Sequence, residues 1–182
     1  MFIFLLVSIV IAIACIFLAA VFFGLSKGQW TDDAPAWPRK PIWPGVAIGA
    51  ISLVWSAHYG CLMLEGNLAK LHPLVWALVP ITIGLSIFYL DYLNARAFGG
   101  FFTLCANFLI MQSFVHDVPC RALLSCICLL LGVFGMVALG LPWRIRDLFE
   151  LGGKNKMAAQ ILAAIFAVFA LLLIVMPIFA RR

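Results

Sequence analysis

The sequence predicts an all-α integral membrane protein: a polytopic bundle of about six transmembrane helices with one short interfacial amphipathic helix. Three observations carry this. Of 182 residues, 66% are hydrophobic and 10% charged, whereas soluble domains run at roughly half and a quarter. A soluble fold of this length has too little interior to hide so much apolar surface. The apolar residues also fall into runs of about 20, the length that spans a bilayer core, and the charges fall between the runs. Six crossings use about 120 residues. No remaining loop is long enough for a separate soluble domain, so one membrane domain is expected over 1–182.

The first run, 2–25, has no charge, and Ser8 is its only hydroxyl. No Lys or Arg precedes it and it exceeds the apolar core of a signal peptide, so a retained crossing is expected. In 26–44, prolines recur at 35, 38, 41 and 44. Polyproline II has three residues per turn, so the four share one edge, and Trp37, Lys40 and Trp43 share another. This is a stiff linker anchored at the headgroups by tryptophan, or a docking strip for a partner.

The second run, 45–64, opens with Gly45 and Gly49, a G-x-x-x-G spacing that lets helices approach closely. A loop with Glu65, Asn67, Lys70 and His72 follows. In the third run, 73–90, Pro80 removes a backbone donor and is expected to kink the helix; Asp91, Asn94 and Arg96 mark its exit. The fourth, 98–115, is the most polar and no longer than the third, with Asn107 and Gln112 inside, and is the weakest crossing by composition. After a turn with His116, Asp117, Pro119, Cys120 and Arg121 comes the fifth run, 122–141. Ile145, Leu148 and Phe149 then share one face of 143–151, with charges over much of the rest, as in a helix lying in the interface. Gly152 and Gly153 are suited to a left-handed cap there. The last run is 157–180.

Charge asymmetry predicts orientation. Lys27, Arg39, Lys40, Arg96, Arg144, Arg146, Lys154 and Lys156 lie in the first, third and fifth loops; Lys70, Arg121, Arg181 and Arg182 lie on the other side. The positive-inside rule puts the odd-numbered loops in the cytoplasm and both termini outside, in a bacterial cytoplasmic membrane. The basic residues are too scattered for a nucleic-acid surface, and no nucleic-acid partner is expected.

No Asp, Glu, Lys or Arg lies at mid-depth in any run, which argues against a proton pump or voltage sensor. The intramembrane polar set is His58, Asn107, Gln112 and Gln160, with hydroxyls. Amides in such positions serve as interhelical glue or as solute contacts. One weak metal constellation, His72, His116, Asp117 and Cys120, offers donors suited to zinc or copper, but without paired spacing, so no metal, cofactor or catalytic set is predicted. Cys61 and Cys120 would be placed for a disulfide if the outer side is oxidising. Cys126 and Cys128 point roughly 200° apart on a helix and are poorly placed to bridge each other. His58 has no second histidine at its depth for bis-histidine haem.

The expected function is a non-catalytic subunit or accessory component of a membrane complex, its contact features being Gly45, Gly49, the Pro/Trp strip and 143–151. The alternative is a small transporter or channel for a neutral or anionic solute, lined by His58, Asn107 and Gln112. Expected partners are the lipid bilayer and a membrane protein or a second copy.

Overall fold

A computed structural model describes residues 2–28, 42–64, 66–89, 91–116, 118 and 120–179. Among them are seven α-helices: α1 (Phe2–Ser26), α2 (Ile42–Met63), α3 (His72–Tyr89), α4 (Leu93–Val115), α5 (Arg121–Gly140), α6 (Pro142–Lys154) and α7 (Lys156–Phe179), with a 3-10 turn at Gly66–Leu71 before α3. No strand occurs among the described residues. All of these helices but α6 are long and apolar enough to cross a membrane. The chain is an integral membrane protein built as a helical bundle.

The core is made by α1, α4, α5 and α7. Helix α1 lies along α7 and α4 along α5, while α2 packs on α4 and α3 on α2. The core is filled with fully buried Phe4, Phe22, Phe102, Leu109, Leu124, Leu131 and Leu173. Aromatic stacking ties layers together: Phe22 stacks on Phe166 at 6.0 Å and on Phe149 of α6 at 5.3 Å. Dispersion and shape hold helices together in lipid, where no hydrophobic drive separates one apolar surface from another.

At the α4–α5 crossing, backbone meets backbone. A Cβ built on Gly99 would stand 2.5 Å from the Gly135 carbonyl oxygen, and one on Gly135 would stand 2.7 Å from that of Gly99. Only residues without a side chain let two backbones meet this way. On α2, Gly45 lies directly against Asn94, and a Cβ on Gly49 would be 3.6 Å from Ala97. Gly45 meets Asn94 near the start of both helices, and Trp55 meets Phe108 further along at 5.8 Å, so α2 and α4 run parallel.

Three local expectations change. The polar fourth crossing is not short: α4 has 23 residues and packs on both sides. Asn94 and Arg96 therefore belong to its first turns, not to the exit of the third crossing, and Asn94 is 1% exposed beneath Gly45. For Asn94 the physical reason is that α2 covers it with Gly45, which has no side chain to keep the two helices apart. Gly152 and Gly153 are helical, and α6 continues to Lys154. Gly152 is used for closeness to Phe22, 3.4 Å from a built Cβ. The break falls at Asn155, whose Oδ1 accepts the amides of Met157 and Ala158 at 3.1 and 3.4 Å and so caps α7. Finally, α2 begins at Ile42, so Trp43 and Pro44 sit in a helical first turn; the rest of the Pro/Trp strip lies outside the described residues. Helix α3 runs unbroken through Pro80.

Candidate functional site

The polar side chains singled out in the sequence are spread along the bundle rather than gathered. His58 is exposed on α2, its ring 6.0 Å from that of Tyr59. Asn107 is exposed on α4, and Gln112 is half-buried one helical turn before the end, its backbone carbonyl accepting the His116 amide at 3.0 Å. The His116 ring lies 5.7 Å from Phe4, tying the α4–α5 turn to the start of α1. His72 Nε2 is 3.0 Å from the Leu64 carbonyl oxygen, closing the α2–α3 connection. Cys120 is exposed, with φ 58° just ahead of α5. Asp117 lies outside the described residues. Among those described, no group of three His, Cys, Asp or Glu side chains is placed to hold a metal ion.

All six cysteines are free thiols. Cys61 and Cys120 are not bonded to each other. Cys126 is exposed and Cys128 buried, on opposite sides of α5, as two residues at 100° each require. Cys15, Cys105 and Cys128 are fully buried on α1, α4 and α5 within one hydrophobic cluster. There they fill space as small apolar residues.

Two crevices are formed by the described residues. One is lined by aromatic rings, among them Phe22, Phe98, Phe102, Phe134 and Phe149, and has no polar wall. The other lies between α2, α3 and the start of α4, lined by Gly45, Gly49, Leu53, Ile83, Ser86 and Leu93. Its hydroxyl is already engaged, since Ser86 donates to the Thr82 carbonyl at 2.5 Å. Neither crevice offers the convergent polar groups by which small-molecule sites orient a ligand.

Several polar contacts escape a reading by segment. The Ser8 hydroxyl, 1% exposed, donates to the Leu173 carbonyl at 2.5 Å, from α1 to α7. Arg146 on α6 donates from Nε to Glu150 Oε1 at 2.8 Å. Glu150 first, then a hydrogen bond to the Tyr92 hydroxyl, holds the Arg146 guanidinium above its already high ordinary pKa. The α3–α4 turn and α6 therefore meet through Tyr92 and Arg146. The G-x-x-x-G spacing drew attention to Gly45, but the backbone-to-backbone Gly99–Gly135 pair spans two helices and no local spacing marks it.

Comparison with family models, with curated protein sequences and with solved structures gives no match to this chain.

Proposed function

We propose that the chain is a non-catalytic subunit or accessory component of a membrane complex. One observation carries this reading. Only 11% of the spanning stretch of α2 and 6% of that of α3 is buried within the chain, against 33–39% for the other four. Helix α3 leans on α2 and on little else, with Leu74, Trp76, Leu78, Ile81 and Leu85 all exposed. A hairpin that touches the filled core only along one side of α2 adds little to that core, but it presents two helices to a neighbour. A route for a neutral or anionic solute would require polar side chains to converge on one cavity, and His58 and Asn107 are on the outer surface.

In the same reading the odd-numbered loops face the cytoplasm of a bacterial cell and both termini lie outside. Lys27, Arg144, Lys154 and Lys156 are exposed together at that end, where the positive-inside rule puts them.

The test is isolation of the tagged full chain in a mild detergent after crosslinking in its native membrane. A stoichiometric membrane-protein partner, lost when bulky charged residues replace Leu78 and Leu85 on α3, is the expected result. A chain that crosslinks to no other protein sinks the reading.

A further inference from the structure

The intramembrane hydroxyls largely satisfy themselves. Ser52, Thr82, Thr103 and Ser113 each donate to a carbonyl of their own helix, and Ser8 donates across to α7. Asn107 does not. Its carboxamide is exposed on α4 and has no hydrogen-bond partner among the described residues. It stands fourteen residues after Leu93 and eight before Val115, so about 21 Å and 12 Å from the two helix ends at 1.5 Å per residue. That is close to mid-membrane, where water cannot serve it and a bare amide is costly.

The residues around it form a seam. Gly100, Leu104, Asn107, Met111 and Phe114 recur at alternating steps of four and three along α4, the spacing of a coiled-coil contact line. The first two are half-buried; Met111 is 61% and Phe114 56% exposed. A single polar residue within such a line fixes register and partner number.

We propose that this seam is a homodimer interface, in which Asn107 of one copy pairs with Asn107 of the second. The argument is symmetry together with the chemistry of the amide. Two copies inserted with the same topology are related by an axis along the membrane normal, and rotation about that axis preserves depth. A residue on the axis-facing seam thus meets its own counterpart, as in any isologous contact. A carboxamide carries both an N–H donor and a carbonyl acceptor on one planar group, so two of them facing each other across the axis form a reciprocal, two-bond pair. The proposal does not depend on a heteromeric complex: a chain that crosslinks only to itself would sink the subunit reading and leave this one standing.

The test is energy transfer between two labelled populations of the full chain in phosphatidylcholine liposomes, over a dilution series of protein in lipid. The wild type is expected to show saturable transfer above random proximity. Asn107→Leu should weaken association by about threefold to thirtyfold, the range that membrane-buried hydrogen bonds supply. Asn107→Gln, which keeps the amide, should recover much of it. His58→Leu, exposed on α2 but only five residues from its end, should leave pairing unchanged. Random-proximity transfer for the wild type overturns the proposal. So does pairing by Asn107→Leu as strong as wild type, or equal weakening by His58→Leu.

Discussion

The Ser8 hydroxyl occupies the place of an amide that α7 lacks. Its acceptor is the Leu173 carbonyl, and the residue four positions further on is Pro177, inside the helix and buried. Proline has no backbone N–H, so the carbonyl four residues before it is left without its helical donor. In lipid such a group must be satisfied from elsewhere in the protein. A side chain from α1 does so, and the bond pins the two helices at one register.

This relationship predicts a coupling. Ser8→Ala should lower stability by about 0.5–2 kcal/mol, measured by unfolding in mixed micelles. In a Pro177→Ala background, the Leu173 carbonyl regains an amide donor, and the same change should cost clearly less. A double-mutant cycle with no coupling would show that Ser8 contributes only through packing.

The Gly99–Gly135 contact predicts a contrast among glycines. Gly99→Ala and Gly135→Ala should each destabilise by about 1–3 kcal/mol, since the new methyl meets backbone that cannot step aside. Gly60→Ala and Gly84→Ala, where a Cβ meets nothing within 4 Å, should be neutral or stabilising by up to ~1 kcal/mol through helix propensity. Thermal unfolding in detergent compares the four.

Thiol accessibility should divide the cysteines by burial. In detergent, maleimide is expected to label Cys120 and Cys126, with Cys61 slower, while Cys15, Cys105 and Cys128 remain unlabelled until the chain is denatured. Mass spectrometry of labelled peptides distinguishes the sites. Labelling of any of the three buried thiols in the folded protein would contradict the packing of α1 on α4 and of α4 on α5.

Helix α6 is held by its aromatic face more than by its charges. Phe149→Ala removes a buried ring stacked on Phe22 and should loosen α6 by about 3 kcal/mol, so that local unfolding lets trypsin cleave after Arg144, Arg146 and Lys154. Glu150→Gln breaks an exposed pair with Arg146, which solvent screens, and should leave stability nearly unchanged. Limited proteolysis of the two variants side by side measures the difference.

Much of the architecture was legible because lipid imposes a simple length rule. The apolar runs starting near 2, 45, 73, 122 and 157 each became a helix, and the face of Ile145 and Phe149 was readable from spacing alone. The fourth crossing was misjudged in length because Asn94 looks like a loop residue until Gly45 of α2 is laid over it; burial by a neighbour is not a local property. The contacts of His72 with Leu64 and of His116 with Phe4 were hidden for the same reason. Ser8 stood out as the lone hydroxyl of its run, yet its role required knowing that α1 meets α7 near Pro177. Proline leaves its mark four residues upstream on a carbonyl, and sequence shows no sign of which helix answers it.

The pairing of α1 with α7 also bears on the order of synthesis. Ser8 and Leu173 are 165 positions apart, so at roughly 5–20 residues per second the first helix waits about 10–30 s for its main partner to be made. During that interval it must rest in lipid on nearly every side, with Ser8 the one hydroxyl before its last residue, Ser26. A charge anywhere along Phe2–Ser26 would be exposed for the whole wait, even at a position that the finished bundle encloses. The uncharged first segment is thus a requirement of the nascent chain as well as of the completed protein.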